Sequence, residues 1–175
     1  MQNADLYDEG LSPGARDFIA LRPEQAGARE RILDLFTVAG TRSRYETGVA
    51  DLEHLAPDGW VLDQYFLESP GRADAQAALA FDYHSNLAAY PRRQAHLRAL
   101  APPTPVLWGE GDPFFPEPGA HAYLRDLPEA EVHVLDTGHF ALEERLSEMA
   151  PLITDFLDRL PEGGRNAGAG QALAR

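Results

Sequence analysis

The chain has 175 residues, 44% of them hydrophobic, with 15 basic against 28 acidic residues and a net charge of -13. That length supports one domain with a sizeable core, and that field repels a phosphate backbone or an anionic membrane surface, so neither nucleic acid nor membrane is an expected partner. With no cysteine, disulfides, zinc–thiolate sites, iron–sulfur clusters and cysteine nucleophiles are excluded.

The opening "MQNADLYDEG" is acidic and lacks an apolar signal-peptide core. No run of about 18 apolar residues occurs. A soluble cytoplasmic protein is the expectation, with no internal repeat.

Residues 1–100 read as helical. "SPGARDFIAL" offers Ser12 as an N-cap and Pro13 at the first helical position. "RPEQAGARERILDLFTV" repeats the device at Pro23, with Ile32, Leu33, Leu35 and Phe36 at helical spacing. "APDGWVLDQYFLES" predicts a short helix from Pro57, with Trp60, Leu62, Tyr65 and Phe66 expected to be buried. "GRADAQAALAFDYHSNLAAY" predicts a longer helix that Pro91 breaks or kinks, and "RRQAHLRAL" continues it.

The texture changes at "APPTP", a linker or stiff lead into a strand. "PVLWG", residues 105–109, is an apolar run closed by glycine, as buried parallel strands are. "EGDPFFPEPG" reads as a loop, "PGAHAYLRDL" as a helix from Pro118, and "EVHVL", residues 131–135, as a second strand. After the loop "DTGHF", "ALEERLSEMAPLITDFLDRL" is an amphipathic helix interrupted by Pro151. Its glutamates favour the positive end of the helix dipole. The tail, residues 161–175, is rich in glycine and alanine and is expected to be disordered. Strand, helix, strand, helix is the grammar of a parallel α/β sheet. The expected division is a helical region over 1–100, an α/β segment over 101–160 and the tail.

Two parallel strands joined by one helix end on the same edge of a sheet, where ligands bind. Asp112 lies just past the first strand and His139 just past the second. A carboxylate there can orient an imidazole and stabilise its charged form, leaving the other ring nitrogen free as a base. The competing reading makes Asp112-Pro113 a plain turn opener and His139 a surface histidine.

"PVLWGEGDPFFP" followed by "EVHVLDTGHFALEE" closely resembles the C-terminal third of α/β-hydrolases. In that family the acid of the triad sits in a G-x-x-D-P-type loop after the next-to-last strand, and the histidine in a G-H loop after the last. The resemblance implies catalytic roles for Asp112 and His139. "QNADLYDEGLSP" and "DYHSNLAAYP" resemble the capped branch, which includes haloalkane dehalogenases and epoxide hydrolases, so the helical region is expected to be a cap. The resemblance covers roughly residues 1–160. It implies a C-terminal part of an α/β-hydrolase fold, a cap followed by a β-α-β-α segment. It also implies hydrolysis of an ester, epoxide or carbon–halogen bond.

The family order is nucleophile, acid, histidine. The chain is expected to lack the G-x-S-x-G or G-x-D-x-G turn that projects the nucleophile, with none of Ser12, Ser43, Ser69, Ser85 and Ser147 in that role. It is therefore expected to be inactive alone. The alternatives are a non-enzymatic helical binding module, or one half of a split hydrolase completed by an N-terminal chain. The substrate is expected to be a small molecule and no cofactor is implied.

Phe114, Phe115 and Phe140 are candidates to line an apolar substrate wall, with packing as the competing reading. Trp108 is expected in the core. Tyr45, Tyr65, Tyr83 and Tyr90 are mostly expected to be structural. His133, His139, Glu143 and Glu144 are ligand types, but they form no H-E-x-x-H motif and His133 faces away from Val132 and Val134, so no metal site is expected.

Overall fold

A computed structural model of the chain describes residues 1–161. The expected disordered tail lies outside the described residues, apart from residue 161.

The two predicted strands form with the expected bounds, β1 at Pro105–Gly109 and β2 at Glu131–Leu135. They pair in parallel from Pro105 against Glu131 to Gly109 against Leu135. The first residues add a bridge on the other side of β1. The Leu107 N–H donates to the Met1 carbonyl at 2.8 Å, and the Asn3 N–H donates to the Leu107 carbonyl at 3.3 Å.

Alternation along β1 separates two cores. Val106 and Trp108, both fully buried, face Leu6, Tyr7, Tyr90, Ala120 and Tyr123. Leu107 faces the opposite way, packing with Leu135, Ala141 and Met149. The Trp108 indole also donates to the Phe115 carbonyl at 2.8 Å. This strand tryptophan therefore anchors the loop that follows its own strand, and truncating it to alanine would cost about 3–5 kcal/mol.

Eight α-helices surround this sheet among the described residues. Helix α1, Pro13–Ile19, starts as expected: the Ser12 side chain accepts from the Ala15 N–H at 3.1 Å and Pro13 occupies the first turn. Helix α2 spans Ala28–Asp34, starting five residues after Pro23. The stretch behind Pro23 closes as turns instead, with the Arg22 N–H donating to Gln25 Oε1. Helix α3, Val38–Glu46, was not anticipated, although Thr37 caps it by accepting from the Gly40 N–H.

Helix α4 spans Asp58–Leu67, as predicted near Pro57. Leu62, Tyr65 and Phe66, expected to be buried, are instead exposed. The side chain it buries most is Gln64. The long predicted helix breaks at Tyr83, giving α5, Arg72–Asp82, and α6, His84–Leu100. Pro91 lies inside α6 without ending it.

Helix α7, Pro118–Ala122, continues as a 3-10 turn at Tyr123–Arg125. Helix α8 spans Ala141–Arg159, and its backbone departs from helical geometry at Arg145, not at Pro151. The Arg145 guanidinium donates to the Asp136 carbonyl at that bend.

Candidate active site

Both loops that follow the strands are held to each other. The Glu110 N–H donates to the Leu135 carbonyl at 2.9 Å and the Gly111 N–H to the Thr137 carbonyl at 3.0 Å. At Gly109 a Cβ would stand 2.2 Å from the Gly138 carbonyl oxygen. Only glycine lets the loops approach this closely.

The approach brings Asp112 and His139 together. His139 Nδ1 and Asp112 Oδ2 are 2.8 Å apart, with the Asp112 side chain fully buried and that of His139 21% exposed. Asp112 Oδ2 also accepts from Asn3 Nδ2 at 2.6 Å, and its Oδ1 accepts from the Phe114 and Phe115 N–H groups at 2.8 and 3.1 Å. With three protein donors already in place, the Asp112 carboxylate acts as the acceptor and His139 Nδ1 carries the proton. His139 Nε2 is thereby left with a free lone pair, and no described residue hydrogen-bonds to it. Asp112 Oδ1 also closes the turn at Asp112-Pro113, as the plain-turn reading expects, while its Oδ2 is aimed at the imidazole.

Asn3 was missed by sequence reasoning. Its backbone has φ +39°, a conformation asparagine tolerates better than most residues. Its Oδ1 accepts from the Gly109 N–H at 3.0 Å while its Nδ2 serves Asp112. One amide thus ties the end of β1 to the acid. Gln2 adds a second tie, donating to the His139 carbonyl at 2.9 Å.

Three phenylalanines pack around the imidazole. Ring centroids of Phe114, Phe115 and Phe140 lie 5.2, 5.6 and 4.8 Å from that of His139. Tyr45 stacks on Phe140 at 4.1 Å, and its hydroxyl donates to Asp63. Burial, with that carboxylate beside it, pushes the Tyr45 phenol well above its usual range. Tyr90 is buried and donates to Asp5, and Tyr65 is exposed. Tyr83 lines the cavity together with Phe18, Phe114, Phe115 and His139, a space of about 580 Å³.

The remaining ligand types do not converge. His133 lies on β2, 4.0 Å from Glu131. Glu144 accepts from Thr137 Oγ1 at 2.6 Å and from the Asp51 N–H at 3.1 Å, pinning the histidine loop to the helical region. Among the described residues no three metal-ligating side chains gather at one point.

The serines require a correction. Gly10-Leu11-Ser12-Pro13-Gly14 spells G-x-S-x-G letter for letter, contrary to the expectation that the chain has no such string. Its structure is not that of a nucleophile elbow. A 3-10 turn precedes it rather than a strand, Ser12 has ordinary extended geometry at φ -65°, and its oxygen caps α1. The Ser12 N–H donates to the Phe114 carbonyl, so the segment supports the acid loop.

The model of the alpha/beta hydrolase fold family matches residues 24–146. An uncharacterized hydrolase of Saccharomyces cerevisiae is 33% identical over 154 residues, covering 85% of this chain and 53% of that protein. A poly(3-hydroxyalkanoate) depolymerase of Ectopseudomonas oleovorans is 35% identical over 63 residues, covering 36% of this chain and 22% of that protein. A serine hydrolase structure from Cycloclasticus zankles aligns with a TM-score of 0.53 at 18% identity, covering 86% of this chain and 50% of that one. The chain spans about half the length, or less, of the curated relatives it matches. No helix among the described residues is long and apolar enough to cross a membrane. The matched segment holds the parallel strand pair, the buried Asp112 and most of the helices around it, and the chain belongs to the alpha/beta hydrolase fold family.

Proposed function

We propose that this chain supplies the acid and base of a hydrolase in the capped branch of the family, acting on an ester, epoxide or carbon–halogen bond. One observation carries the reading: the 2.8 Å contact between buried Asp112 and His139 at the ends of two parallel strands. His139 Nε2 takes a proton from a nucleophile or a water, and Asp112 stabilises the imidazolium that forms. The helical region over residues 1–100, helices α1 to α6, acts as the cap, and Phe114, Phe115 and Phe140 form the substrate wall.

The nucleophile in this reading comes from a complementing segment or chain, because no described serine hydrogen-bonds to His139. Ser12 caps a helix, Ser43 meets Thr47, and Ser85 donates to Asp82. The 175-residue chain alone is expected to hydrolyse p-nitrophenyl butyrate no faster than free imidazole. Mixed with an N-terminal hydrolase segment bearing a G-x-S-x-G elbow, it is expected to gain activity that His139→Ala abolishes. Activity of the chain alone, lost on His139→Ala, would contradict the missing nucleophile. Activity of the mixture surviving His139→Ala would contradict the base.

A further inference from the structure

The chain carries 28 acidic residues against 15 basic ones. The cavity beside His139 reverses that balance. Among the described residues no aspartate or glutamate lines it, whereas Arg31 and Arg44 do, against a wall that is otherwise mostly apolar.

Arg44, on α3, is the informative one. Its Nη2 donates to Thr41 Oγ1 at 3.3 Å, but its Nε is buried with no partner. Its guanidinium stands 5.2 Å over the Phe36 ring. The nearby carboxylate, Asp63, lines a neighbouring cavity with Arg44 but accepts from the Tyr45 hydroxyl, and the hydrogen bond Arg44 makes is to Thr41. Burial lowers the pKa of Arg44 from its ordinary value, with Asp63 and Tyr45 acting in the opposite direction. A half-buried guanidinium with an unmet Nε donor and no bound carboxylate is stabilised by an anion placed beside it. A guanidinium edge suits a carboxylate, whose two oxygens match parallel N–H donors.

We infer that the cavity binds an amphiphilic carboxylate, its apolar body against Phe18, Phe36 and Phe114, its carboxylate on Arg44 with Arg31 nearby, and its scissile group toward His139. This rests on the hydrolase reading for the scissile group, but not for binding. Arg31 is exposed at the rim and adds attraction that salt weakens.

Binding separates the two claims. The full chain is titrated with 4-phenylbutanoate and with 4-phenylbutan-1-ol, each followed by NMR shifts of the His139 and Phe114 rings. The acid is expected to bind at least about tenfold tighter than the alcohol, a ratio typical of one charge-assisted contact. Arg44→Gln is expected to erase that ratio while leaving alcohol binding intact, which also reports that the variant folds. Arg44→Lys is expected to keep part of the ratio. Equal affinities for acid and alcohol, a ratio unchanged in Arg44→Gln, or binding of neither probe would overturn the inference. The ratio is read on the chain alone and the ester assay on the complemented mixture, so failure of the ester assay and failure here are told apart.

Discussion

Replacing Asn3 by alanine removes three hydrogen bonds from the centre of the site. The Gly109 N–H loses its acceptor at 3.0 Å, and an unsatisfied buried donor costs about 1–3 kcal/mol. Asp112 Oδ2 loses a charge-assisted donor at 2.6 Å, worth about 1.5–3 kcal/mol. The 3.4 Å contact to the Gly138 carbonyl contributes little. Alanine also has to hold φ +39°, at about 1 kcal/mol. Neighbouring terms are not additive and water can enter, so the expected loss is about 2–4 kcal/mol. Urea unfolding at neutral pH measures it, with an m-value of about 1–3 kcal/mol/M for a protein of this size. Asn3→Asp sharpens the test. It keeps the acceptor for Gly109 but sets a second carboxylate against Asp112, so one carboxyl of the pair is driven up in pKa. The folded pair then binds protons more tightly than the unfolded chain, and the variant is expected to regain stability as pH falls. A loss below about 0.5 kcal/mol for Asn3→Ala, within the range of ordinary surface changes, would refute the role assigned to Asn3.

Ser12→Ala is expected to cost about 1 kcal/mol through the lost helix cap and to leave the complemented ester activity unchanged; activity lost with the fold intact would make Ser12 chemical. Gly48→Ala is expected to cost at least about 2 kcal/mol in urea unfolding, because Gly48 has φ +81° and a Cβ there would sit 1.8 Å from the Gly111 oxygen. Burial holds the Asp5 carboxyl above its ordinary value despite hydrogen bonds from Tyr7 and Tyr90. Its folded form therefore binds a proton more tightly than the unfolded chain, and the stability it contributes is lost as pH rises through the raised folded value. Asp5→Asn is expected to flatten that decline in urea unfolding measured across mildly acidic pH, and an unchanged slope would contradict it.

What could be read from the sequence follows the range of the interactions. "PVLWG" and "EVHVL" gave their strand bounds because an apolar run closed by glycine and a strict alternation are both local signals, and parallel pairing then carried Asp112 to His139. Pro118 and Ser12 marked their helices for the same reason. Pro23 misled, since a proline that opens a turn and one that opens a helix look alike until the neighbouring hydrogen bonds are known, whereas Pro91 does not end its helix, which continues past it as expected. Leu62, Tyr65 and Phe66 looked buried because helical spacing counts apolar faces, not the surfaces available to cover them. Asn3 left no local trace: its partner Asp112 lies 109 residues away. Gly10 to Gly14 shows the converse, a motif string whose letters match while the strand that gives them chemical meaning does not precede them.

The central claim is that Asp112 holds His139 with its proton on Nδ1 and its Nε2 lone pair free. Proton–nitrogen correlation NMR of the histidine rings tests it directly at a pH where His139 is neutral. The expected spectrum shows Nδ1 protonated and Nε2 bare, with a low-field Nδ1 proton that vanishes in Asp112→Ala. A neutral His139 carrying its proton on Nε2, or a ring spectrum indifferent to Asp112→Ala, would contradict the assignment of the pair as acid and base.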